Sequence, residues 1–392
     1  MHEWPRTLVF TAMSPSSSAA SAQVLARLIS GAEEQFGFVY QEDGVTRKPM
    51  GRASVPVKHP CGNLSRWPVM WRFERLWWYH VAVREGMRQV ARLKWDVVLG
   101  CHPNLAFALA AAKVAETKGL PFILYLMDLY AESRVNPVEK IWARVTERKL
   151  LSEASAVISL TKGLQNHYAR KYGISPVLIP HCVTETEIAM AVASKPPLGV
   201  GSPILVTYSG GVYEARLDSL LAVKQAIEKL NAEGCPASLL ILGKNNPTQL
   251  ASWGIGGPYV SVRYIEDRLE FMETMRRSDI LLSTIAFKSA YPLQDQTCFP
   301  TKTFDYFLSG KPMLVVAPGS SDYLLYMKHH RCAITVESPD INFIATAIRQ
   351  LAADASFRGK VVEAGISRLS EHVRERIQPM FLNTLTEACG RR

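Results

Sequence analysis

The chain reads as an α/β protein built from two doubly wound parallel sheets joined by a single linker. Three observations carry that reading. Its 392 residues exceed one ordinary hydrophobic core and suit two domains. Strand-length apolar runs alternate with helical patterns of ten residues or so, which implies parallel strands covered on both faces. A Pro/Gly-rich stretch, KPPLGVGSP at 195–203, interrupts the alternation once before it restarts.

In the first half, strands are expected at 7–12, 97–100, 122–126, 156–159 and 177–179, with a Ser/Ala loop after the first. Helical patterns run over 22–29, 73–93, 105–117, 141–150 and 164–171. In the second half, strands are expected at 204–208, 239–242, 259–264, 280–283, 313–316 and 333–336. Helices follow at 217–230, 269–277, 301–308 and 342–353, and a long helical pattern closes the chain. These boundaries predict a first domain over 1–195, a second over 196–375, and a C-terminal helix over 376–392 that crosses back to the first. Two such sheets facing each other place a ligand cleft at the carboxyl ends of their strands.

Composition narrows the function classes. A hydrophobic content of 48% with 20% charged residues is ordinary for a globular protein. The start of the chain lacks a charged n-region and apolar h-region, and no window offers about 18 uninterrupted apolar residues, so neither a signal peptide nor a membrane span is expected. Seven scattered cysteines without a C-x-x-C suit a reducing compartment with free thiols, so no metal site is expected and the location reads as cytoplasmic. The net charge of +10 is uneven: residues 47–94 hold 11 basic against 2 acidic side chains. A local patch of that kind reports on a partner. A nucleic acid is disfavoured, because no nucleic-acid module is recognisable and the rest of the chain is nearly balanced.

Two segments could handle a phosphate. YSGGVYEAR at 208–216 follows a strand and precedes a helix. Gly210 and Gly211 let the backbone approach a ligand, and Arg216 near the helix N-terminus suits a diphosphate. By itself the glycine pair reads equally as a tight strand-to-helix turn. FPTKTFDYFLSGKPMLV at 299–315 adds context. Thr301 is placed to cap a helix whose buried face holds Phe304, Phe307 and Leu308, and Gly310 ends that helix. Lys302 then lies at the positive end of the helix dipole. Asp305, one turn inside, has the two oxygens a ribose diol requires; alone it also reads as a surface residue balancing the dipole.

The 299–315 run resembles the donor-site signature of retaining GT-B glycosyltransferases, in their capsule, O-antigen and exopolysaccharide branch (glycosyltransferase family 4-like). LYLMDLYAES at 124–133 is similar to a second segment of that branch, and DVVLGCH at 96–102 and the stretch 147–180 resemble others in the right order. The resemblance implies a GT-B fold of two Rossmann-like domains, the first for the acceptor and the second for the nucleotide sugar. It implies a hexosyl transfer, with retention, from a UDP- or GDP-sugar to a saccharide or lipid-linked saccharide, without metal or other cofactor. By the same resemblance Asp305 would hold the ribose, Arg216 and Lys302 would neutralise the diphosphate with help from Lys244 and Thr301, and the backbone at Tyr264–Glu266 would face the base. His102 would sit near the donor sugar, with Asp128 on the acceptor side. The loop Ser16, Ser17 and Ser18 could bind acceptor oxygens or be a plain loop. Two positions depart from the pattern: Asp305 stands where Glu is common, and Thr297 stands where many relatives carry a second Glu, with Asp295 out of register.

Residues 66–94 interleave Trp67, Trp71, Trp77 and Trp78 with arginines. Helical spacing puts Phe73, Leu76, His80, Val83, Met87 and Val90 on one stripe and Arg84, Arg88 and Arg92 on another. Such a helix suits peripheral attachment to the inner face of an anionic membrane, or a domain core with a solvated basic face. Two other function classes stay open on these residues: a sugar-nucleotide epimerase of the same fold, and a non-catalytic nucleotide-sugar-binding scaffold.

Overall fold

Thr7–Thr11, the run TLVFT, is buried along its whole length, as a central strand of a sheet covered on both faces must be. The computed structural model describes residues 4–17, 20–42, 50–58, 70–134, 136–193 and 202–390. Among these the chain divides into two compact units, one ending at Cys182 and resuming at Arg374, the other spanning Val183–Val373.

The first unit holds strands β1 (Thr7–Thr11), β2 (Phe36–Gln41), β3 (Ala53–Val57), β4 (Val97–His102), β5 (Phe122–Leu126), β6 (Ala156–Ser159) and β7 (Val177–Leu178). They form a parallel sheet in the order β3-β2-β1-β4-β5-β6-β7. β2 and β3 extend the sheet beyond the strands expected from sequence. The helix Leu105–Lys118 is capped at its N-terminus by the Asn104 side chain and closed by Gly119 in the left-handed conformation. The terminal helix Arg374–Gly390 belongs to this unit: Phe381 is fully buried and stacks on Phe36, and the Gln378 side-chain amide donates to the Leu28 and Ser30 carbonyls.

The second unit holds β8 (Ile204–Ser209), β9 (Ala237–Leu242), β10 (Val260–Arg263), β11 (Ile280–Thr284), β12 (Met313–Val316) and β13 (Ile334–Val336), parallel in the order β10-β9-β8-β11-β12-β13. Alternate strand residues feed two cores. Val206, Leu239, Leu282 and Leu314 pack under the helices Glu214–Ala232 and Ile341–Ala353, whereas Leu281, Met313 and Val315 pack under Lys302–Ser309 and Asp322–His330. The second core also takes in Val183 and Ala191. The expected boundary at 195/196 therefore lies too late for the packing, because the helix Glu185–Ala193 buries its apolar side in the second unit. Of the expected linker, residues 195–201 fall outside the described residues.

Candidate functional site

Each sheet has one point where the strand order reverses. In the second unit it lies between β8 and β11, neighbours in space that are separated in sequence by β9 and β10. Ligands of open parallel sheets bind outside the carboxyl ends of strands at such points, where the two adjoining loops run in opposite directions.

The loop after β8 carries Gly210 and Gly211, and Gly210 has φ of 116°, a conformation that favours glycine. The loop after β9 packs on it so closely that a Cβ on Gly243 would stand 2.6 Å from the Gly210 carbonyl oxygen. Asn245 fastens the two loops: its side chain accepts from the Val212 amide at 2.7 Å and donates to the Val212 carbonyl at 2.9 Å. From below, the buried Tyr306 hydroxyl accepts from the Ser209 amide at 2.8 Å and donates to the Leu282 carbonyl at 3.0 Å. Asn245 does not stand out in the sequence, and Tyr306 belongs to the 299–315 run, where the sequence names no partner for it.

Two cations meet this turn. The Lys302 ammonium donates to the Ser209 carbonyl at 2.8 Å, lies 3.7 Å from the centre of the Tyr208 ring, and comes within 4.0 Å of where a Gly210 Cβ would stand. Burial and the charge of Arg216 hold its pKa well below the ordinary lysine value. Arg216, only 6% exposed, lies in the first turn of Glu214–Ala232, with its guanidinium 3.7 Å from the Cys298 sulfur. Two like charges brought together under low exposure form a seat for an anion. Lys244, after β9, stacks 4.7 Å over the ring of Tyr264, itself exposed after β10 beside the exposed Glu266.

The 299–315 segment forms the helix Lys302–Ser309 with Phe304, Phe307 and Leu308 buried, and Gly310 closes it in the left-handed conformation. Thr301 differs from expectation. It occupies the N-cap position with helical dihedrals and its side chain makes no capping bond. The reason is local: the Thr303 amide already donates to the Pro300 carbonyl, so the turn begins a residue early. Asp305 is held by a partner the sequence reading did not name. Its two oxygens accept from the two terminal nitrogens of Arg268, at 2.9 and 2.5 Å. Thr297, where a second carboxylate was sought, turns its hydroxyl onto the Leu293 carbonyl of its own helix, while Asp295 is buried and adds to the field at Arg216.

In the first unit the order reverses between β1 and β4. The loop after β1 holds Ser16 and Ser17, with the Ser14 and Ser16 hydroxyls 3.2 Å apart; Ser18 lies outside the described residues. His102 ends β4 and is 1% exposed, with its ring edge-on to Tyr130 at 5.2 Å. Both its ring nitrogens are buried, and among the described residues neither makes a hydrogen bond of full geometry, the Asp128 backbone being the polar group that favours its protonated form. Asp128 stands in the loop after β5, where its carboxylate accepts from the Leu129 amide at 2.8 Å. The topology thus brings Ser16, Ser17, His102 and Asp128 to the same edge of one sheet. Behind them a buried network ties Glu147 to Tyr168, Tyr172 and Lys171, and Lys171 to Glu132.

Burial draws the His102 pKa from 6.5 to about 4, only partly offset by the Glu147 carboxylate. The unfolded chain therefore takes up a proton at His102 that the folded chain refuses between those two values. Stability is expected to fall as pH drops from 6.5 towards 4, by roughly 3 kcal/mol at most, and to be flat on this account above 6.5. Denaturant titrations across that window check this, and His102→Gln should flatten the slope; an identical slope in both proteins rules it out.

The helix Met70–Arg92 departs from its expected stripe. Trp78, Val81, Ala82 and Gln89 are buried, whereas Leu76 and Trp77 are 53% and 40% exposed and His80 is exposed. Gly86 sets this rotation, because a Cβ there would stand 2.4 Å from the Phe10 ring and no other residue could sit so close to the sheet. Arg84, Arg88 and Arg92 are exposed as expected. Of the other residues in that reading, Arg66 and Trp67 lie outside the described residues.

Among the described residues no group of three or more His, Cys, Asp or Glu side chains could hold a metal, and no helix is long and apolar enough to cross a membrane. Several solved structures share the fold. An α,α-trehalose 6-phosphate synthase from Burkholderia multivorans superposes with a TM-score of 0.71 over 99% of both chains at 13% identity. The fold is GT-B. A sucrose-phosphate synthase from Thermosynechococcus elongatus gives 0.68 over 96% of both chains at 14% identity. HepE of Anabaena, solved in complex with UDP-glucose, gives 0.64 over 97% of this chain and 99% of that one, at 12% identity. Residues 17–180 match the glycosyl transferase 4-like domain, which with the GT-B fold supports a glycosyltransferase. No curated protein matches the chain significantly by sequence.

Proposed function

We propose that the protein transfers a hexosyl group from a UDP- or GDP-sugar to a saccharide or lipid-linked saccharide, with retention, in the assembly of a surface polysaccharide or glycoconjugate. One observation carries the reading: the buried Arg216 and the half-buried Lys302 converging on the Gly210 turn at the switch point of the second sheet. A departing nucleoside diphosphate develops charge beside Arg216, which already stands there, and beside Lys302, whose proton the diphosphate itself favours, so the pair stabilises the transition state. That stabilisation needs no metal ion or other cofactor. In this reading Asp305 would hold the ribose, Thr301 and Lys244 the phosphates, and Tyr264 and Glu266 would face the base. His102, kept neutral by burial, would serve the sugar, and Ser16, Ser17 and Asp128 the acceptor. The work would be done at the cytoplasmic face of a membrane.

A thermal-shift screen of the purified chain against UDP, GDP, TDP and ADP tests the site first. UDP or GDP at a hundred times its Kd is expected to add about 2.7 kcal/mol of stability, with little effect from ADP. No shift with any of the four would remove the nucleotide site. The matching sugar nucleotide, supplied with a saccharide acceptor, then separates transfer, which releases the nucleoside diphosphate and leaves a glycoside (or free sugar, by transfer to water), from epimerisation, which inverts the sugar at C2.

A further inference from the structure

Two helices of the first unit expose large apolar side chains side by side. On Pro137–Glu153, Val138, Ile141, Trp142 and Val145 are 69%, 63%, 48% and 65% exposed. Their spacing is i, i+3, i+4, i+7, a single stripe, and it lies opposite the buried Ala143, Thr146, Glu147 and Leu150. A helix that has already buried one apolar side in its own core has no internal reason for a second. On Met70–Arg92 the exposed Leu76 and Trp77 continue the surface. A cavity of about 590 Å³ opens here, walled by Leu76, Tyr79, Leu109, Val138 and Trp142, with Arg75 and Glu139 also on its wall. A contiguous apolar face of this kind marks an interaction surface.

Charge selects the occupant. Arg144, Arg148 and Lys149 flank the stripe and are exposed, and Arg84, Arg88 and Arg92 line the neighbouring helix, where Arg84 and Arg88 share the one carboxylate of Glu85 and keep a net positive charge. Of the glutamates on Pro137–Glu153, Glu147 is buried and paired with Lys171, Glu153 is paired with Lys149, and Glu139 lines the cavity. An apolar stripe with basic flanks and exposed tryptophans suits the boundary between anionic headgroups and acyl chains. We propose that this face docks on an anionic phospholipid bilayer and that its cavity admits one hydrocarbon chain. The surface differs from the one read from sequence, since Pro137–Glu153 supplies most of its apolar part. The inference is compatible with a lipid-linked acceptor and does not rest on the transfer reading.

Flotation of the full chain with vesicles tests it. Vesicles containing phosphatidylglycerol are expected to bind at least tenfold better than pure phosphatidylcholine at low salt, and high salt should release much of the bound protein. Ile141→Asp, at an exposed position that folding does not use, should lose that binding at least tenfold, as should Arg84→Glu combined with Arg88→Glu. Leu109→Trp, which fills the cavity, should weaken binding while leaving the charge intact. The nucleotide thermal shift of each variant, unchanged from the parent, separates this face from the nucleotide site. No flotation of the parent chain at low salt, or equal flotation of Ile141→Asp, overturns the proposal. So does a concentration-dependent dimer that Ile141→Asp abolishes, which would assign the face to a second copy.

Discussion

Arg216→Ala is expected to lower kcat for sugar transfer by about 10²–10³, the usual loss when a preorganised charge at the leaving group is removed. The side chain reaches the Gly210 turn from the first turn of a helix, is 6% exposed, and faces Lys302 closely enough to depress that lysine's pKa. Lys302→Met should cost as much in activity but behave differently in stability. Lys302 is half-buried and repelled by Arg216, so the folded chain resists a proton that the unfolded chain keeps up to the ordinary lysine value of 10.5. Removing the group removes that burden, and the variant should be no less stable than its parent at neutral pH. A diphosphate arriving beside Lys302 raises its pKa, so nucleotide binding should take up protons and weaken as pH rises. Calorimetry of UDP or GDP binding in buffers of different ionisation enthalpy reads the uptake directly, and Lys302→Met should abolish it. Full turnover by Arg216→Ala, or nucleotide binding without proton uptake, would falsify this placement of the diphosphate.

Much of this arrangement is legible in the sequence because it follows from periodicity and punctuation. Phe304, Phe307 and Leu308 recur on one helical face, and Gly310 ends that helix where a left-handed residue is needed. Fully buried strands such as β5 and β12 read as unbroken apolar runs. β2 and β3 are not legible for the converse reason. β2 carries Gly37 as its second residue, where a Cβ would stand 2.3 Å from the Trp95 ring, and β3 is a half-exposed edge strand containing Pro56. Both residues signal a loop until the packing that requires or tolerates them is known. The rotation of Met70–Arg92 is hidden likewise, because apolar and aromatic residues occur all round that helix and only the Gly86 to Phe10 contact chooses a face.

The site divides along the same line. Gly210, Gly211, Arg216 and Lys302 announce themselves by chemistry and local spacing. Asn245 and Tyr306, which hold the turn in place, act across 33 and 97 residues of chain; Asn245 carries no local signature, and the 299–315 run that contains Tyr306 does not say what it bonds. Sequence reading finds groups that could meet a phosphate more readily than the groups that fix their geometry, because fixation is a matter of tertiary distance. The same asymmetry explains Thr301, where the expected cap depends on a helix start that Pro300 displaces.

Arg268 is the consequential residue that only the structure reveals, and Arg268→Ala is expected to raise the donor KM about ten- to a hundredfold with kcat little changed. The argument starts from Asp305, whose carboxylate accepts from both terminal nitrogens of Arg268. A carboxylate has about four lone-pair sites, and the guanidinium of Arg268 takes up two of them. The planar fork fixes the carboxylate in one orientation. Hydrogen bonds between charged groups contribute about 1.5–3 kcal/mol, and a loss expressed equally in ground and transition states appears in KM. Arg268→Lys should not restore the parent value, because a point charge cannot hold both oxygens at once. Asp305→Asn in the Arg268→Ala background should then add little, since the two residues act as one unit. The opposite outcome has a clear meaning. A donor KM that falls in Arg268→Ala would show that Arg268 competes with the ribose for Asp305 and closes the site when no donor is bound.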